Sequence, residues 1–117
     1  MHEMSLVEGL LRVVQDEMRT HPESHVQTVR VRVGRLRQVE PSMLEFCYEA
    51  AVRETSLAGS HLEIQQEEAT ARCDVCSLQF AVEEHWFECP RCHSSDVRLL
   101  TGDEVLLTSI VMESARN

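Results

Sequence analysis

Cys73-Asp74-Val75-Cys76 and Cys89-Pro90-Arg91-Cys92 stand twelve residues apart in the C-terminal half of the chain, and their spacing decides how the rest is read. Each C-x2-C pair can wrap one edge of a tetrahedron, and four thiolates at about 2.3 Å from an ion make a closed zinc site. The twelve intervening residues are slightly fewer than the usual zinc-ribbon spacing. They still suffice for a short hairpin, with Phe80-Ala81-Val82 and Trp86-Phe87 as its expected strands. Three other readings compete. A disulfide framework needs an oxidising compartment, but charged and polar residues interrupt the first apolar stretch where a secretory signal would lie. A cytoplasmic location is therefore expected. Cys89-Pro90-Arg91-Cys92-His93 also fits the c-type haem attachment pattern, which leaves Cys73 and Cys76 unexplained. A redox dithiol accounts for one pair and not for two. Structural zinc is the reading that uses all four sulfurs, and a closed site leaves no open position for catalysis.

Working outward, the segment around the cysteines, residues 69–98, is too short to bury a core of its own. Domains below about 40 residues usually need a metal or disulfides. The whole chain has 117 residues and a formal net charge of −9. Four thiolates around one Zn2+ bring that to about −11. Nucleic-acid affinity rests on neutralising phosphates, so this balance argues against a nucleic-acid reader, the commonest use of a zinc ribbon. Arg30, Arg32, Arg35 and Arg37 form a local basic strip, most simply read as the solvated face of a strand.

The flanking sequence supplies a scaffold. Met4, Val7, Leu11, Val14 and Met18 follow the spacing of a helical seam, widened by Leu6 and Leu10. Ser5 and Glu8 fit a capping box, although a start at His2 is equally consistent, and the helix should stop before Pro22. The methionines in register with aliphatic neighbours read as core filler. Val29, Val31 and Val33 alternate with arginines in a half-buried strand ending at Gly34. Ser42-x-x-Glu45 is expected to open a second helix running to about Glu54, with Leu44, Phe46, Cys47 and Ala51 on its apolar face. Cys47 on that face reads as a packed thiol. Leu62-Glu63-Ile64-Gln65 begins another alternating strand after Gly59. Val105 to Met112 is apolar on both faces, as in a central strand of a covered sheet. The expected fold is α+β: a small α/β sandwich of two helices on a three-stranded sheet (residues 1–68 and 99–117) with an inserted zinc-ribbon-like domain at residues 69–98. No repeat, Gly-rich phosphate loop or transmembrane run appears.

Met1-His2-Glu3 offers a second metal chemistry. A residue as large as His2 is expected to protect Met1 from removal. The terminal amine, the His2 amide and the His2 imidazole would then close two chelate rings around one ion, with the Glu3 amide as a fourth nitrogen. A planar nitrogen set suits Ni(II) or Cu(II), whereas zinc favours a tetrahedron. The ligands must lose protons, so binding should weaken as pH falls. A histidine at position 2 is also common in chains that bind no metal. His21, His25, His61 and His85 are read as surface or loop histidines.

Taken together, Met1-His2-Glu3-Met4-Ser5-Leu6, the Val29, Val31, Val33-Gly34 strand, the Phe46-Cys47 helix and the two C-x2-C pairs resemble the HypA/HybF family of hydrogenase-maturation factors, over essentially the whole chain. The resemblance implies a nickel metallochaperone rather than an enzyme. Its N-terminal α/β domain would bind Ni2+, and structural Zn2+ would sit at Cys73, Cys76, Cys89 and Cys92 in a domain placed before the last strand. It implies delivery of nickel to the [NiFe] hydrogenase large subunit with a HypB-type GTPase as partner; some members also serve urease maturation. No nucleic acid and no membrane are implied. The resemblance makes His2 the nickel residue, joined by Met1 and by Glu3, the latter through its backbone amide and a partner contact. Glu40 stands where relatives carry Asp, as an auxiliary nickel ligand. His93 resembles a histidine that couples metal geometry to pH, and Ser77 in place of a histidine after Cys76 departs from a paired-histidine arrangement. The rival expectation is a zinc-ribbon module for protein or nucleic-acid interaction that transfers no metal.

Overall fold

The structure, a computed structural model, describes residues 3–83 and 87–114. Met1, His2, His85 and Trp86, singled out above, lie outside the described residues. The element order is α1 (Glu3–Met18), β1 (Ser24–Gly34), a 3-10 turn (Arg35–Arg37), α2 (Pro41–Val52), β2 (His61–Glu67), β3 (Thr70–Cys73), β4 (Gln79–Ala81), β5 (Val97–Thr101) and β6 (Val105–Ser114). Two three-stranded sheets result, ordered β2-β1-β6 and β4-β3-β5. The fold is thus α+β, with two helices, two small sheets and a four-cysteine module.

Contacts divide the chain into two compact units: Met1–Val31, Val39–Gln65 and Leu106–Asn117 in the first, Arg32–Gln38 and Gln66–Val105 in the second. In the first unit α1 buries Val7, Leu10 and Val14, the i, i+3, i+7 positions of one helical face. Leu11 and Met18 are only half-buried, and Met4, assigned to the seam, is exposed. Because α1 begins at Glu3, Ser5 and Glu8 fall inside it and make no capping box. α2 starts at Pro41, one residue before the box expected from Ser42. Proline presets the first-turn φ and needs no donor partner, so Glu40 becomes the cap. Its carboxylate accepts from the Ser42 amide (3.3 Å) and the Ser42 hydroxyl (2.9 Å). The buried face of α2 is Leu44, Tyr48 and Val52. Phe46 is 67% exposed, so this face is rotated from the expected one: the buried ring is Tyr48, whose hydroxyl is matched by Ser60 Oγ at 2.6 Å.

β1 is the central strand, which explains why Val26, Val29, Val31 and Val33 are all buried. β6, expected at the centre, is an edge. Of the four arginines in the strip, Arg30 and Arg35 are exposed and Arg32 and Arg37 half-buried. Three form ion pairs, Arg30 with Glu63 at 3.0 Å, Arg32 with Glu67 at 3.4 Å and Arg35 with Glu68 at 2.7 Å, while Arg37 Nη1 donates to Asp103 O at 3.3 Å. Exposed pairs of this kind add little stability, but they leave less free positive charge on that face.

The second unit has a small core of Ala69, Ala71 and Val82, with Leu36, Phe80 and Leu99 packed against it. Leu36 and Leu99 come from outside the 69–98 segment, so this core is assembled from a longer stretch than the one read as coreless. The expected hairpin is rearranged. Phe80 and Ala81 lie in β4, but β4 pairs with β3 ahead of the first cysteine pair, and Phe87 is in no strand. Gly34 and Gly102 permit a close backbone crossing, with Leu36 N–H donating to Gly102 O at 2.8 Å. A Cβ at Gly102 would lie 2.5 Å from Ala69 Cα, and φ there is +106°, a conformation that favours glycine.

Candidate metal centre

β3 delivers Cys73 at its last residue, and the turn after it returns Cys76; the segment before β5 supplies Cys89 and Cys92. The two pairs are folded alike. Cys73 N–H donates to Leu78 O (2.9 Å) while Ser77 N–H donates to Cys73 O (2.9 Å). In the second pair Cys89 N–H donates to Ser94 O (3.0 Å) and His93 N–H to Cys89 O (2.9 Å). Both Ser77 (φ 66°) and His93 (φ 63°) take the left-handed conformation that closes such a turn. The amides of Val75 and Cys76 donate to Cys73 Sγ at 3.3 and 3.4 Å, and Cys92 N–H donates to Cys89 Sγ at 3.5 Å.

These two knuckles bring one ligand atom from each of the four cysteines within 4.8 Å of one another. Cys73 and Cys92 sulfurs are 3.5 Å apart, Cys76 and Cys89 sulfurs 3.6 Å. Those separations exceed a disulfide bond of about 2.05 Å. They approach the edge of about 3.8 Å that a tetrahedron with 2.3 Å metal–sulfur bonds requires. Four soft donors in a closed tetrahedron fit zinc. Cys73 and Cys89 are buried, Cys76 is half-buried and Cys92 is exposed.

The sulfurs are electrostatically unequal. Cys76 is pulled down to about 6, first by the Leu78 backbone amide and then by the Arg91 guanidinium. Cys89 is lowered chiefly by the Cys92 amide. At Cys92 the Ser94 amide pulls down, but the Cys73 sulfur, burial and the Cys89 and Cys76 sulfurs outweigh it and push the thiol up to about 12. Arg91, which the cysteine spacing does not single out, donates from Nη2 to Cys76 O at 2.9 Å and so ties the second knuckle to the first. Its only sequence signal is a cation inside a C-x2-C pair. His93 stays outside the sulfur cluster: it is exposed, with Nδ1 3.6 Å from Glu88 Oε1.

At the other candidate site, Glu3 Oε2 accepts the backbone N–H of Glu40 at 3.3 Å. The first residue of α1 and the cap of α2 are thereby neighbours, while His2 and Met1 lie outside the described residues. Cys47 is half-buried on α2 and is not a member of the cysteine cluster. Among the described residues no helix is long and apolar enough to cross a membrane.

An α+β unit of two helices and a three-stranded sheet, carried in one chain with a four-thiolate knuckle, defines a small metal-site protein. A family model described as "Hydrogenase/urease nickel incorporation, metallochaperone, hypA" matches residues 1–112. The chain is 36% identical to the hydrogenase maturation factor HypA of Alkalilimnicola ehrlichii, covering 97% of this chain and 100% of that one. It is 34% identical to the HypA of Pelodictyon phaeoclathratiforme, over 97% of both. Among solved structures, that of the Ni metallochaperone HypA from Helicobacter pylori superposes with a TM-score of 0.70 at 25% identity, covering 97% of this chain and 99% of that one. A second solution structure of a HypA protein gives 0.73 at 25% identity over 98% of both chains. The chain belongs to the HypA family of nickel-incorporation metallochaperones, maturation factors and not catalysts.

Proposed function

We propose that this chain binds Ni(II) through nitrogen donors of Met1, His2 and Glu3 and hands it to the [NiFe] hydrogenase large subunit, working with a HypB-type GTPase in the cytoplasm. In this reading Cys73, Cys76, Cys89 and Cys92 hold resident zinc that builds the module and does not travel. The nickel role is assigned to the first compact unit and the zinc role to the second, which extends beyond residues 69–98 to Gln66–Val105 and Arg32–Gln38. The family match over residues 1–112 supports it. The single structural observation that carries it is the Glu3–Glu40 hydrogen bond, which joins the residue after His2 to the cap of α2. Glu40 spends its Oε1 on Ser42, so it serves nickel as an auxiliary group whose engagement loosens the cap. His93, turned to Glu88, is an auxiliary of the zinc side.

Transfer requires a site that lets go. Affinity order alone releases nothing, whereas backbone and imidazole nitrogens at a chain end exchange one at a time. Titrating the zinc-loaded, untagged protein with Ni(II), read by d–d absorption, is expected to give one equivalent bound. His2→Ala, or an extension ahead of Met1, is expected to abolish it and leave zinc content unchanged. Undiminished one-to-one nickel binding by His2→Ala would refute this assignment. Zinc without any nickel, together with salt-sensitive nucleic-acid binding, would favour the rival interaction module.

A further inference from the structure

The geometry points to the outer edge of β6 as a docking strip for an extended, apolar segment of a partner protein whose ends carry lysine or arginine. The sheet order β2-β1-β6 leaves one side of β6 without a neighbouring strand among the described residues. Exposed edges are ordinarily blunted by charge or proline. The opposite edge of this sheet obeys that rule: β2 carries Glu63 and Glu67, and Glu63 is paired with Arg30. From Val105 to Met112 β6 has neither a charged residue nor a proline. None of those eight residues is buried, and Leu106 is 42% exposed. A largely apolar run left half-open on an unprotected edge is costly to keep unless something covers it in use.

A groove of about 310 Å³ runs along this edge, lined by the consecutive residues Leu107, Thr108, Ser109 and Ile110, by Met112, and by Val13 and Glu17 of α1. Successive side chains of a strand point to opposite faces. A groove touched by four residues in a row therefore meets the strand at its backbone edge, where an added strand would pair. Val13 is 53% exposed and offers an apolar wall.

Charge selects the occupant. Glu17 stands in the groove, Glu113 lies just past its end held by Gln27 Nε2 at 2.6 Å, and the chain as a whole carries −9. A second copy would bring the same carboxylates and the same net charge to the contact. A cationic-ended segment is complementary and would be steered toward it. The strip is separate from both metal assignments, so its failure would leave them standing.

The test uses the zinc-loaded full chain and a fluorescein-labelled decapeptide with Lys-Arg at each end of Val-Thr-Val-Thr-Val-Thr, beside a twin ending in Glu-Asp. Saturable anisotropy with the basic peptide is expected, accompanied by slowed amide exchange in residues 106–112. Glu17→Lys and Val13→Lys, both at exposed helix positions, should weaken it about tenfold with unchanged circular dichroism. Three results would each overturn the proposal: no saturable binding, equal binding of the acidic twin, or exchange in residues 106–112 that slows with chain concentration alone, which would mean copies pair there.

Discussion

Arg91 links the two knuckles through one hydrogen bond to the Cys76 carbonyl while its charge acts on the sulfurs. Removing it should matter in two measurable ways. In metal-free protein Cys76, lowered to about 6, is a thiolate at pH 7, whereas Cys92, raised to about 12, is a thiol. Thiolates are the nucleophiles, so limiting iodoacetamide at pH 7 should label Cys76 ahead of Cys92 by peptide mapping. Arg91→Ala should lessen that preference, and it should speed zinc loss to a chromogenic chelator severalfold. Arg91→Lys, a point charge without the planar fork, should restore the labelling more fully than the zinc retention. Tyr48 gives a second residue-scale test because it is the only tyrosine in the chain. Burial raises its pKa above 10.0, with the Ser60 hydrogen bond opposing. The folded state then holds its proton where the unfolded state loses it, so this contribution to stability is complete below pH 10 and declines as pH climbs through the folded value. Tyrosinate absorbance should rise at higher pH in the folded protein than in denaturant. Tyr48→Phe should cost about 1 kcal/mol in denaturant titration.

At the scale of elements, the crossing of β1 with the turn before β6 rests on two glycines. Gly34→Ala would drive a Cβ into the Gly102 carbonyl, and buried backbone on backbone has no side-chain end to yield. A loss of about 1–3 kcal/mol is expected from such overpacking, read as a lowered unfolding midpoint. The sequence announces Gly34 only as a strand terminator, because the residue it must clear lies far along the chain. The same limit separates what is legible in the sequence from what is not. α1 and the Val29–Val33 alternation are readable since periodicity is local, and the four-cysteine cluster is readable since metal geometry dictates its spacing. The face of α2 is not: Phe46 and Tyr48 sit two residues apart, and only tertiary packing, with Ser60 ready to satisfy a phenol, selects the second. β6 has the composition of a covered central strand, although sheet order puts it at an edge. The strands of the metal module run three to five residues, too short to carry a period. Arg91 and the left-handed Ser77 and His93 give no local sign of their roles, which exist only once two distant knuckles face each other.

For the molecule as a whole, the decisive contrast lies in what each unit has to hold it together. The first has the buried faces of α1 and α2 and of β1 up to Val31, and it also buries Leu57 and Leu62. Among the described residues the cluster of the second buries Ala69, Ala71 and Val82, with Val33 also buried in that unit, and the two alanines have little apolar surface to remove from water. Ordering each residue costs about 1–2 kcal/mol in backbone entropy, so such a core cannot by itself fix three short strands. Structural zinc in finger peptides contributes about 10–16 kcal/mol at neutral pH, so zinc held as proposed by the four thiolates would be the dominant stabiliser of this unit. Chelating the zinc should therefore release amide protection in residues 70–101 while α1 and residues 26–31 of β1 keep theirs. Exchange that rises uniformly along the chain would show that the metal holds both units together. Unchanged exchange in residues 70–101 would show that the small apolar cluster suffices and that zinc is an accessory. Because protons compete for the thiolates, lowering the pH should have the same localised effect as the chelator.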